Sequence, residues 1–282
     1  MHLALSCAAP ALIAALASLG GPPVPSVAAP PAALALDEHE AAFMKLSDEF
    51  DEAQQEFYSQ FDERWGDFDH DTASDEEKAA YSKWWADNQP AHKFVPRFEA
   101  LAEKAKGTDV AVKCYGAVLE WSPTLGASGA ATGQRALKAL ADHVQSPAME
   151  SIAAQLQHAW GLPADEVRAL LGALREKSPH RAVQAAATFS LAQNLMSGEA
   201  PSAESKAKAR ALLVELGERF ADVNTQRGTS YSKVASGFLF ELDHLQVGML
   251  APDMEALDVD GASFKLSDFR GKVTVVDFWG YW

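Results

Sequence analysis

From Asp37 to about Leu245 the apolar residues recur at helical spacing, and that periodicity limits most of the chain to packed helices. Phe43, Leu46, Phe50, Phe57, Phe61, Trp65 and Phe68 follow one another at steps of three, four or seven. On a 3.6-residue period this makes one aromatic stripe along a long helix, with acidic residues on the opposite face. Such a stripe is a packing face. Ser74 and Glu77 stand at capping-box spacing and open a second helix through Trp84 and Trp85. Adjacent residues leave a helix in different directions, so one of the two tryptophans is expected to meet a neighbouring element.

Further helices follow, with regular punctuation. Gly107 reads as the stop after Pro90–Lys106, and Thr108 as the cap of the next helix. The stretch from Ser122 to Gly133, SPTLGASGAATG, reads as a loop because it is built of small residues. Ser146-Pro147, Pro163, Ser178-Pro179 and Pro201 each mark a helix start, since the missing N–H of proline is no loss in a first turn. Helices of similar length joined by short turns suggest an α-hairpin stack. The segment Ser178–Gly198 resembles half of a tetratricopeptide-type repeat. No clean repeat period recurs, so a solenoid and an irregular bundle both stay open.

Charge narrows the partners. The net charge is -15, and Asp37–Glu77 alone carries 16 Asp/Glu against two Lys/Arg, Lys45 and Arg64. That field repels phosphate backbones, so no nucleic-acid partner is expected. The acidic run reads as a solvated helix face in preference to a docking surface for a basic partner. Neither a paired histidine spacing nor H-E-x-x-H occurs among the eight His, and Asp67–Asp71 (DFDHD) lacks the Gly and closing Glu of a calcium loop. No phosphate-cradling Gly-rich loop or G-x-S-x-G elbow is present. Neither a cofactor nor a metal is expected. Of the two cysteines, Cys7 falls in the leader and Cys114 among apolar neighbours, where it reads as a small buried hydrophobe.

The leader itself has an apolar run, Leu3–Leu19, then a Pro/Ala-rich stretch from Gly20 to Ala35. Ala33-Leu34-Ala35 forms a small-x-small cleavage site ahead of Leu36-Asp37. Residues 1–35 therefore read as a signal peptide, and the expected location is secreted, periplasmic or in the cell envelope.

At Val247 the pattern changes. Asp260-Gly261 sits between alternating runs as a hairpin signal, and Val273–Phe278 is a near-continuous β-branched run suited to a covered central strand. A domain boundary falls at Gln246–Gly248, separating a helical domain (37–245) from a segment 247–282. The segment carries G-x-x-AP-D (Gly248, Ala251, Pro252, Asp253), D-x-DG (Asp258, Asp260, Gly261), F-x-LSD-x-RGK (Phe264 to Lys272) and then VVDFWGYW to Trp282.

This string resembles the opening of the TlpA/ResA-like branch of the redoxin (AhpC/TSA) superfamily, whose members have the thioredoxin fold. The helical region ahead of it resembles, more loosely, the helical segment that precedes redoxin domains in some secreted bacterial proteins. The fold class this implies is mainly α: a tetratricopeptide-like helical domain followed by the first hairpin and first central strand of an α/β thioredoxin-like domain. The resemblance implies thiol-disulfide exchange with protein disulfides or dithiols, or with a membrane-bound reductant. It leaves room for a protein partner of the helical domain. In such enzymes a thiolate at a helix N-terminus attacks a disulfide, and a second Cys resolves the mixed disulfide. Asp277 then matches the buried carboxylate that relays a proton, and Trp279 and Trp282 flank the nucleophile position. FWGYW differs from the Thr/Pro-rich approach to a peroxidatic Cys, which favours disulfide exchange over peroxide reduction.

The nucleophile in this pattern falls one residue past Trp282. The expectation is a UGA codon there, encoding selenocysteine, with an ordinary fragment as the competing account. The 282 residues by themselves are expected to be inactive as a dithiol enzyme. From a different class, the alternative is a helical-repeat interaction module with a vestigial redoxin tail.

Overall fold

The computed structural model describes residues 37–158, 161–198 and 201–277. The signal-peptide reading falls on residues 1–35, outside the described residues. The chain is mainly α. Ten helices are described: α1 (Glu38–Trp65), α2 (Asp75–Asn88), α3 (Ala91–Lys104), α4 (Asp109–Trp121), α5 (Gly129–Leu140), α6 (Met149–Gln155), α7 (Ala164–Lys177), α8 (Arg181–Met196), α9 (Ala203–Arg219) and α10 (Tyr231–His244). Strands β1 (Glu255–Leu257) and β2 (Ser263–Lys265) follow as an antiparallel pair, with Ala256 opposite Phe264.

Helices pack against the next helix and, repeatedly, against the next but one: α4 on α5 and α6, α8 on α9 and α10. That is how stacked α-hairpins bury their faces. The core runs continuously from Leu46 of α1 to Ala235 of α10. Helix α8 is its hub, touching α6, α7 and α9. It buries Val183, Ala185, Ala186, Ala187, Phe189 and Ala192 around its circumference, and its small residues let neighbours approach from every side. A helix buried all round carries no amphipathic stripe.

The stripe on α1 buries Leu46 and Phe50 on the side of α3 and α4 and Phe57 under the tryptophans of α2, while Asp48, Asp51, Glu52 and Glu56 stay in solvent. Phe68 lies beyond the end of α1, in the turn toward α2, and stacks on Tyr81. Two ion pairs tie α1 to the core, Glu49 with Arg97 at 2.5 Å and Glu40 with Lys113 at 2.6 Å. Both are part-exposed, so each contributes roughly 0–1 kcal/mol, and apolar burial sets the helix in place.

Several local expectations change. The capping box forms, with the Glu77 N–H donating to Ser74 Oγ and the Glu77 carboxylate accepting from the Ser74 N–H. Both Trp84 and Trp85, where one was expected, meet a neighbouring element, α1. Both rings lie on Phe57 and Phe61 of α1, because each indole is long enough to swing back over the same two phenyl rings. Thr108 occupies the N-cap position of α4, but its hydroxyl donates backwards to the Ala105 carbonyl at 2.7 Å and caps nothing. The prolines sit just outside the helices: Pro163 is the N-cap residue of α7, and Pro179 and Pro201 precede the N-caps His180 and Ser202.

The segment 122–133 is not a loop. Ser122–Ser128 forms 3₁₀ turns broken by a kink at Gly126, whose φ is +60°, and α5 begins at Gly129. The glycine there answers crowding: a Cβ on Gly129 would lie 2.2 Å from the Ser122 carbonyl oxygen. Small residues in this stretch reflect close backbone packing, which composition alone does not separate from flexibility.

Candidate functional site

The redoxin-like string has a definite local geometry, and its polar residues fasten it. Asp258 opens the hairpin turn, its Oδ1 accepting from the N–H of Asp260 at 2.9 Å and of Ala262 at 2.8 Å. Gly261 takes φ +83°, which a side chain would resist, and its N–H closes on the Asp258 carbonyl. Asp253 reaches across the sequence to Ser267, accepting from its N–H and its hydroxyl, both at 2.8 Å. These two bonds, the hydroxyl first, hold the Asp253 carboxyl below its ordinary range. The Asp268 carboxylate takes the Lys265 N–H, and Phe264 meets Phe269 edge-on at 5.9 Å. Seven of the residues that carry the resemblance, Asp253, Asp258, Asp260, Gly261, Phe264, Ser267 and Asp268, thus have structural work: they build one self-fastened hairpin.

Beyond the hairpin, the strand expected at Val273–Phe278 is not formed among the described residues. Residues 273–277 lie outside regular structure, and Val273, Val275 and Val276 are exposed. A strand needs a neighbour to take its backbone groups, and none is described beside this run. Asp277 is therefore an exposed coil residue here. Trp279 and Trp282 lie outside the described residues.

Cys114 is the cysteine within the described residues, and it is fully buried on α4. Burial, with a smaller push from Glu40, drives its thiol up to about 12, so it carries negligible thiolate at neutral pH. We expect a Cys7→Ser chain to react with dithionitrobenzoate only after denaturation. A thiol that titrates in the native protein would contradict the placement of Cys114.

The described residues hold no group of three His, Cys, Asp or Glu placed to bind a metal ion. No described helix is long and apolar enough to cross a membrane. One polar residue also stands on the stripe, unmarked by the apolar spacing. Gln54 fills the seven-residue gap between Phe50 and Phe57, is 8% exposed, and both atoms of its amide lack a partner. The gap itself is the signal: a polar residue in an apolar slot.

Part of the chain is similar to the thiol-disulfide oxidoreductase ResA of several bacilli. Identity is 37% over 49 residues with the protein of Geobacillus thermodenitrificans (strain NG80-2), covering 17% of this chain and 28% of the relative. It is 39% over 49 residues, with the same coverage, for Geobacillus kaustophilus (strain HTA426). For Bacillus thuringiensis (strain Al Hakam) it is 35% over 46 residues, or 16% of this chain and 27% of the relative. The chain thus spans little more than a quarter of the length of the curated relatives it matches. No family model matches the chain. No solved structure matches it either.

Proposed function

We propose that this chain belongs to an exported thiol-disulfide oxidoreductase of the TlpA/ResA-like redoxin family. The observation that carries the reading is the unbroken motif string from Gly248 to Trp282, and the partial similarity to ResA supports it. Under this reading the hairpin of β1 and β2 leads into a central strand at Val273–Phe278. Asp277 relays a proton from its end, and Trp279 and Trp282 flank a nucleophile at the next position. The substrates are protein disulfides or dithiols, or a membrane-bound reductant. The apolar run Leu3–Leu19 and the cleavage site at Ala33–Ala35 support export.

The test is the nucleotide sequence after the Trp282 codon. A Cys or selenocysteine codon there, with Cys three positions further on, supports the reading, and a UAA or UAG stop overturns it. The 282-residue chain itself should accelerate insulin reduction by dithiothreitol no more than a blank does. Neither Cys7 nor Cys114 belongs to a C-x-x-C pair. Clear turnover would place the chemistry somewhere other than the tail.

A second reading, a helical interaction module, is favoured by one observation. Among the described residues, the packed core lies within α1–α10 and the connections between them, and none of the redoxin-like residues contributes to it.

A further inference from the structure

A groove of about 580 Å³ opens on one side of the helical stack, between α1, α4 and α6. Its floor is aromatic. Phe50 meets Trp121 edge-on at 5.2 Å, and Phe43 stands beside Phe98 at 6.2 Å. Gln54 lines the same groove, with the buried, unpartnered amide already described. Leaving such an amide unpaired is unfavourable, so the side chain stabilises the fold less than a leucine of similar size. Asp51 of α1 and Glu120 of α4 also line the groove. Neither has an ion-pair partner among the described residues. Lys113, the lysine in the lining, is held by Glu40 at 2.6 Å. The groove therefore presents an aromatic floor, one open donor–acceptor pair and two uncompensated carboxylates.

We propose that this groove docks an extended basic peptide segment of a partner protein, seating an apolar side chain on the aromatic floor and a Lys or Arg beside Asp51 and Glu120. Three features select that occupant. The amide of Gln54 offers one acceptor and two donors, the complement of a peptide unit. The volume lies in the range that encloses a few residues of extended chain. The acidic stretch Asp37–Glu77, which includes the α1 wall, draws cations toward this side and disfavours anionic ligands. Desolvation holds the Glu120 carboxyl above its ordinary range. The inference is independent of the redox reading.

Fluorescence anisotropy with a capped, labelled peptide Gly-Phe-Lys-Leu-Lys-Gly tests it on the full chain, with Glu replacing both Lys in a control peptide. The Lys peptide should bind saturably and the Glu peptide should not. Asp51→Asn with Glu120→Gln should weaken binding by about tenfold or more. Glu52→Gln with Glu63→Gln removes equal charge from exposed positions of α1 outside the groove and should change it less than about twofold. Gln54→Leu should raise the thermal midpoint and yet weaken the peptide, opposite signs that a purely structural role for the residue does not produce. Equal losses in the two charge variants, undiminished binding by Gln54→Leu, or competition by free lysine amide as strong as by the peptide would each overturn the proposal.

Discussion

Replacing Phe98 with alanine should cost about 3–5 kcal/mol of stability, the largest single-residue effect we expect outside the backbone. Phe98 is 2% exposed in the middle of α3. Its ring packs against Phe43 at 6.2 Å and against Phe50, edge-on, at 5.9 Å. It is thus central to the aromatic cluster that holds α1 to α3. The loss has two parts: the transfer free energy of the ring, and the cavity that stiff neighbouring helices cannot close. For a unit of this size, each kcal/mol lowers the melting temperature by about 2–4 °C, so a fall of roughly 10 °C is expected. Met44→Ala is the matched control. That side chain is 48% exposed on α1, and its removal should change stability by no more than about 0.5 kcal/mol. Urea titration of both variants decides the matter. A loss below about 1 kcal/mol at Phe98 would mean that α1 is not anchored by this cluster.

The helical half of the molecule was legible because its signals are local and periodic. The α1 stripe from Phe43 to Trp65, the Ser74–Glu77 box and the Asp260-Gly261 turn depend on neighbours within a few residues, and each forms as read. Where the reading fails, the deciding partner is distant in sequence. Ser122 lies against Gly129 across a tight backbone crossing, so small residues that look like a flexible loop are packed helix. Trp84 and Trp85 meet a neighbouring element as read, but both do so, because two phenyl rings of α1 accommodate both indoles. The candidate site divides along the same line. The residues of the redoxin-like string bond to one another, so the hairpin stands alone. The strand run at 273–277 depends on non-local pairing, which no local signal supplies. Gln54 went unread in the stripe, and its meaning comes from the groove formed with α4 and α6.

Two helical glycines should respond with opposite signs to the same substitution, which tests whether packing or propensity rules here. Intrinsic preference alone favours alanine at both Gly129 and Gly217 by about 0.5–1 kcal/mol. Gly217, in α9, has nothing within 4 Å of the position a Cβ would take. Gly217→Ala should therefore stabilise by about that amount, chiefly by restricting the unfolded chain. Gly129 has right-handed helical dihedrals, φ -61° and ψ -47°, so conformation is no obstacle to alanine. Space is the obstacle. Its Cβ would sit 2.2 Å from the Ser122 carbonyl oxygen and 3.1 Å from the carbonyl carbon. Those are backbone atoms of a 3% exposed residue, and they cannot rotate aside as a side chain could. Relief requires the 3₁₀ turn at 122–128 to shift away from α5. Gly129→Ala should accordingly destabilise by about 1–3 kcal/mol, overriding the propensity gain. Stabilisation by both substitutions would show that the 122–133 segment yields readily, and that its small residues are flexible after all.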